Sequence, residues 1–253
     1  MLDGNVYFHD TYDSLYIRGN ENTMSAWEII SEEASIVLVG NFNPKIFHPE
    51  WFIRKGIVEE WDYSKDDVVN VPDLAQFTLS SNRKVTVLLN KFSLRSSLAS
   101  DHLALKDFVT STFSFLRETP IQQMGMNYTS VIKIEDKDKW RQFGSELAPK
   151  KHWEQAADFI KDLDEEKQEV FGLWEMTMHL PRPDELPGHI RPKIAVNSTP
   201  EHKLSFSINN HVEIDQSAAM TMVKILEDTW EKSLGLANDL TSKIMDSQLG
   251  RVK

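Results

Sequence analysis

The pattern of apolar and polar residues predicts an α+β fold: a mainly antiparallel sheet with helices packed on one face and a long helix at the C-terminus. Three observations carry this. Segments that alternate apolar and polar residues recur along the chain, as in IQQMGMNYTSVIKI (121–134) and KLSFSINNHVEID (203–215). A short turn signal such as Ser-Asn-Arg (81–83) separates alternating segments, which favours hairpins. Helical spacing occurs in separate stretches after the strands, near 103–116 and from about 215 onward.

The elements follow in order. Residues 1–23 hold three tyrosines and several acids without a period, and read as an N-terminal arm before one α+β domain over 24–253. ASIVLVGNF (34–42) reads as a buried β-branched strand stopped by Gly40. In VGNFNPKIFHPEW (39–51), Asn43-Pro44 and His48-Pro49 each start a turn and give proline the φ of a first helical position. That stretch predicts a tight exit from the strand and a short helix, pinned by Trp51 and Phe52 and ended by Gly56. AQFTLS and KVTVLLNKF flank Ser81 and Asn82 as a hairpin.

From Leu103 the spacing is helical. Leu105, Phe108, Val109, Thr112, Phe113 and Leu116 share a face, Ser100 or Asp101 can cap it, and Pro120 closes it. In 121–134, Met124, Met126, Tyr128, Ser130, Ile132 and Ile134 share one side, while Gln123, Asn127, Thr129 and Lys133 share a wet one. KDKWRQFGSEL (137–147) and HWEQAADFIKDL (152–163) predict two short helices around Pro149. Three long strands are expected next: EVFGLWEMTMHL with Val170, Trp174, Met176, Met178 and Leu180 inward; GHIRPKIAV with Ile190, Ile194 and Val196 inward; and KLSFSINNHVEID with Leu204, Phe206, Ile208, Val212 and Ile214 inward. The last helix starts near Asp215 or Ser217 and buries Ala219, Val223, Leu226 and Trp230, with Gly235 expected to interrupt it. The order hints at two related halves, 24–134 and 135–253, each ending its strands with one long helix.

Three pieces together resemble a sporadically distributed family of uncharacterised bacterial proteins of about this length: the strand running into VGNFNPKIFHPEW, the passage FSFLRETPIQQMGMNY, and the long closing helix. The resemblance spans roughly residues 24 to 247. It implies a bacterial cytosolic accessory protein, with a mobile-element or defence-related gene neighbourhood as its setting. It supplies no catalytic residues.

Composition narrows the chemistry. The chain has no cysteine, which removes disulfides, thiolate nucleophiles and Cys-ligated zinc. The polar, acidic start has no signal-peptide pattern and no segment reaches the apolar length of a membrane span, so the expectation is a soluble cytoplasmic protein. A formal charge of −11 works against a broad phosphate-binding surface, and leaves RKG (54–56), PKKHW (149–153) and HIRPK (189–193) as local basic stretches. Phosphate-cradling glycine loops are missing. GSEL (144–147) lacks the second glycine of a nucleophile elbow. Asp101-His102 beside Ser97 and Ser100 reads as helix capping rather than as a hydrolytic set.

Two groups of residues are candidate sites. Arg182, His189, Arg191 and Lys193 surround the proline-rich connection PRPDELPGHIRP, where bases on an acidic protein concentrate local potential. His211, Glu213 and Asp215 share the polar face of one strand, where imidazole and carboxylates can face a divalent ion. No cofactor is expected. The leading expectation is a non-enzymatic interaction protein that binds another protein, or itself, through its sheet face or terminal helix. A divalent-metal-dependent hydrolase or nuclease is one alternative. A nucleic-acid or nucleotide sensor acting through the 182–193 loop is the other.

Overall fold

The structure is a computed structural model that describes residues 26–60, 63, 67–79, 82–164, 167, 171–196, 202–215 and 218–249. The expected arm over 1–23, like Val170 and Ser217, lies outside the described residues. The strands are β1 (Trp27–Gly40), β2 (Val69–Val71), β3 (Leu74–Thr78), β4 (Lys84–Leu88), β5 (Lys91–Ser96), β6 (Ile121–Ile134), β7 (Glu175–Thr177), β8 (Gly188–Val196) and β9 (Lys203–Glu213). The helices are α1 (Pro49–Arg54), α2 (His102–Phe115), α3 (Lys137–Leu147), α4 (Lys150–Ala156) and α5 (Ala219–Leu249). The strands form one antiparallel sheet in the order β2-β3-β4-β5-β1-β6-β9-β8-β7. This is the expected α+β class with its long C-terminal helix. No helix among the described residues is long and apolar enough to cross a membrane.

Alternation decides which way each strand faces. Ile36 and Leu38 of β1, Phe92 and Leu94 of β5, Met124 and Ile132 of β6, and Phe206 of β9 are fully buried. They meet Leu105 and Phe113 of α2 and Met222, Leu226 and Trp230 of α5, so one side of the sheet carries the core. Trp230 is wholly enclosed, and its indole N–H donates to the carbonyl oxygen of His102 at 2.8 Å, tying α5 to the start of α2. A buried indole keeps its place only when that polar group finds a partner.

The stretch VGNFNPKIFHPEW folds as a corner. The Asn43 side chain accepts from the Lys45 N–H, and Nδ1 of His48 accepts from the Glu50 N–H at 3.3 Å, capping α1. His48 is thus a structural cap. Phe42, Phe47 and Phe52 then enter one aromatic cluster with Phe92 and Phe113, with ring centroids 5.2 to 6.4 Å apart. Gly56 takes φ +67° just after the helix, as an αL cap requires. Gly40 has a different reason to be glycine. A Cβ there would lie 2.1 Å from the carbonyl oxygen of Pro120, where the end of β1 meets the start of β6.

Several expectations are corrected. KVTVLLNKF is two strands, β4 and β5, separated by a turn at Leu89-Asn90 whose carbonyl oxygens accept from Phe42 N–H and Gly40 N–H. EVFGLWEMTMHL is not a long buried strand. Only Glu175–Thr177 forms regular sheet, at the edge, and Trp174 and Met178 are 74% and 51% exposed because nothing described covers that edge. The second short helix starts earlier than expected, at Lys150, and gives way to a 3-10 turn over Asp158–Ile160. α5 passes Gly235 unbroken. An exposed mid-helix glycine costs only about 1 kcal/mol relative to alanine, less than the packing of α5's buried face restores. Among the described residues the elements run β-α-ββββ-α as far as α2 and β-αα-βββ-α from β6 onward.

Replacing Trp230 by alanine removes the largest buried side chain and the link to α2. Urea denaturation is expected to show a loss of about 3–5 kcal/mol, and a change below about 1 kcal/mol would mean that α5 does not depend on this anchor.

Candidate binding face

Among the described residues, α1, α2, α3 and α5 all bury side chains in the core on one side of the sheet, which leaves the second side open. That open side is lined by the other phase of each strand. Register places its residues in rows. One row runs Lys84, Arg95, Ser35, Asn127, Asn209, Arg191 across β4, β5, β1, β6, β9 and β8. At sheet spacing it spans about 24 Å. The next row runs Thr86, Ser93, Val37, Gly125, His211, His189.

The centre of the face is uncharged and internally bonded. Asn209 donates its side-chain amide to Asn127, Asn127 donates to the Ser35 hydroxyl at 3.3 Å, and Thr129 donates to Ser207 at 3.1 Å. A Cβ on Gly125 would come within 3.1 Å of the Asn209 amide nitrogen, so this glycine leaves the amide its room. The surround is basic. Lys84, Lys91, Arg95, Lys133, Arg191, Lys193 and Lys203 stand in this phase against Glu28, Glu33, Glu175 and Glu213. On a chain of charge −11 that is a local reversal of sign. Three of the bases make ion pairs at the surface, Arg95 with Glu33 at 3.4 Å, Lys133 with Glu135 at 2.9 Å and Lys193 with Glu175 at 2.7 Å. Exposed pairs of this kind hold by no more than about 1 kcal/mol and can be exchanged for a partner's charge.

The arrangement has an approximate two-fold. β1 and β6 are both fourteen residues long, and the midpoint residues Ala34 and Tyr128 are direct partners. Counting outward, Lys91 (opposite Val39) matches Lys203 (opposite Lys133), and Lys84 (two strands from Ser35) matches Lys193 (two strands from Thr129).

The sequence-derived candidates separate. His189, Arg191 and Lys193 are on β8 in the open phase, and His211 and Glu213 join them from β9. Arg182 turns the other way. Its side chain is 2% exposed and donates to Asp184, to the Asn210 side chain and to the His211 carbonyl oxygen. Asn210 in turn donates to Ser233 of α5 at 3.0 Å, so Arg182 latches the 181–187 connection to the core side instead of meeting a partner. Burial pushes the Asp184 carboxyl upward, but the hydrogen bond and charge of Arg182 outweigh it and hold the group below the ordinary aspartate value. Asp215 lies beyond the end of β9, and among the described residues no three His, Asp or Glu side chains are grouped so as to hold a metal ion.

One feature of the face was not foreseen. His179 stacks on His189 and His189 on His211, each pair with centroids 4.7 Å apart and planes 27° apart. Nε2 of His189 is buried without a partner. Burial is the first cause holding His189 below its ordinary pKa, followed by Arg191 and the imidazoles of His211 and His179, with Glu213 opposing. Burial also lowers His211, where Glu213 opposes and Arg191 and Arg182 reinforce.

No protein-family model matches this chain, and no curated protein matches it. The reading of the face rests on its own chemistry.

Two outcomes follow. In the unfolded chain the imidazoles of His189 and His211 return to their ordinary value near 6.5 and bind protons that these two rings resist in the folded stack. The stability of the neutral stack is therefore present above about pH 6.5 and lost as the pH falls toward the lower folded values. The urea midpoint should drop between about pH 8 and pH 5.5, and His189→Gln should flatten part of that fall; an unchanged pH profile would show that the stack does not resist protons. Arg182→Leu leaves Asp184 and Asn210 without their donor and should cost about 3 kcal/mol; near-neutral denaturation would contradict the latch.

Proposed function

We propose that this chain is a non-enzymatic binding protein that works through the open face of its sheet, and that a nucleic-acid duplex is the partner that face fits best. The observation that carries the reading is the two-fold pair of lysines, Lys84 with Lys193 and Lys91 with Lys203, around a Ser/Thr/Asn centre. A duplex presents two antiparallel phosphate strands related by local two-folds. Lysine and arginine neutralise phosphates, and serine, threonine and asparagine add hydrogen bonds to backbone or base edges.

A protein partner suits this face less well. Protein hot spots are enriched in tryptophan, tyrosine and arginine seated in desolvated pockets. The central rows offer serines, asparagines and short aliphatics, with no aromatic ring apart from the histidines. The acidic remainder of the molecule favours one orientation, with the basic face toward the polyanion. The setting is that of an accessory component of a bacterial cytosolic complex.

The test is binding of a short mixed-sequence DNA duplex, and of the matching RNA duplex, across a salt series. Affinity should fall steeply with salt, and each of Lys84→Ala and Lys193→Ala should lower the log–log slope by about 1. Lys243→Ala on α5, which pairs with Asp239, serves as the control and should leave the slope unchanged. Absence of binding at low salt, or a slope indifferent to the paired lysines, would sink the reading.

A further inference from the structure

We propose that the outer edge of β7, with the aromatic groove beside it, is a docking site for an extended acidic segment of another protein, which adds to the sheet as a further strand.

The first support is the hydrogen-bond phase of the edge. Val196 N–H donates to Trp174 carbonyl at 3.0 Å, Met178 N–H to Pro192 carbonyl at 2.9 Å, and Leu180 N–H to Ile190 carbonyl at 2.8 Å. Residues 174, 178 and 180 thus direct their main-chain groups toward β8. In an antiparallel ladder alternate residues bond to opposite sides. The N–H and C=O groups of Glu175, Thr177 and His179 therefore face outward, and among the described residues no strand pairs with that side of β7. Such an edge is a template for another backbone.

The second support is what flanks the edge. A cavity of about 310 Å³ lies along it, with Lys150, Trp153, Phe171 and Trp174 among its walls. Trp153 is 61% exposed and Trp174 74%, and Met178 continues the apolar line at 51%. Large rings gathered around a concavity are the kind of anchor that protein interfaces use. An added strand would offer alternate side chains to this groove while its main chain met the outward groups of β7.

The third support fixes the charge of the occupant. Lys150 Nζ sits 5.1 Å over the Phe171 ring. Burial, then the nearby charge of Arg141, hold its ammonium below the usual lysine range, with Glu154 opposing. Glu175 is turned to Lys193 at 2.7 Å, and so does not serve Lys150. A carboxylate entering the groove would relieve this cation. Another copy of this chain is a poorer fit, since two-fold pairing of β7 with itself would bring two like grooves together.

The experiment is selection of peptides from a random library displayed on phage against the full chain. Recovered sequences should alternate apolar residues and carry Asp or Glu, and a synthetic copy should protect the amides of Glu175, Thr177 and His179 from hydrogen exchange. Thr177→Pro removes an outward N–H while sparing the inner ladder. It and Lys150→Glu should each weaken the synthetic peptide at least tenfold, with the circular dichroism spectrum retained. Should Thr177→Pro unfold the chain, Lys150→Glu and the exchange pattern decide alone. Binding indifferent to Lys150→Glu, protection elsewhere, or no selected peptide would overturn the proposal. So would a dimer of the wild-type chain, seen by sedimentation, that Lys150→Glu or Thr177→Pro abolishes, because the edge would then belong to a second copy.

Discussion

The fourteen residues of β1 run antiparallel to the fourteen of β6 through the middle of the sheet, and the rest of the chain is hung from that pair. Each strand is bonded on its outer side to the last strand of its own half, β5 or β9. Shifting this register by one residue would turn every side chain of one half to the wrong side. Either Ile36 would lose the core to Ser35, or Met126 would lose it to Asn127. The apolar phase under α2 and α5 therefore holds the polar phase in place on the far side. Gly40 permits the close approach that ends the pairing, and Trp230 ties the two helices above it.

That division has a functional consequence. A sheet covered on one side and open on the other presents a surface that is polar at its centre and apolar toward β2 and the end of β4, at Val69, Val71 and Leu88, with a geometry set by buried residues. The Asn127–Asn209 amides are positioned by strands whose opposite faces are packed, so the duplex proposed above would meet donors already ordered. The histidine stack extends the same surface toward the β8 edge. Within it, burial first and then the charge of Arg191 hold the His189 imidazole below its ordinary pKa. At this same edge, beyond β8, the covering helices run out, and Trp174 and Met178 are left in solvent beside the groove of α4.

Legibility varied with the range of the cause. The sides of β6 could be assigned residue by residue, because alternation is a local property of extended backbone. The α2 face from Leu105 to Phe113 was equally plain, as was the short helix after His48-Pro49. The same rule failed at 171–180, where apolar alternation was present but none of the described residues covers the strand. Trp174 and Met178 look inward in sequence and are exposed in space. Gly235 looked like a break, but the buried face of α5 outweighs one poor helix former. Of the basic candidates, Arg191 and Lys193 could be read from their phase on β8. Arg182 could not, since its direction depends on Asn210, twenty-eight residues later.

The sequence by itself determined which residues are core and which are wet in α2 and in the strands that the helices cover, and through that the α+β class. It did so because period-2 and period-3.6 patterns are fixed by the backbone of each element alone. Only the tertiary structure decided that Lys84 and Arg95 share a row with Arg191, that three histidines from separate segments stack, and that Arg182 is a latch. Those outcomes depend on strand order and register, which bring together residues about a hundred positions apart. Non-local pairing of this kind leaves no mark in any short window of sequence.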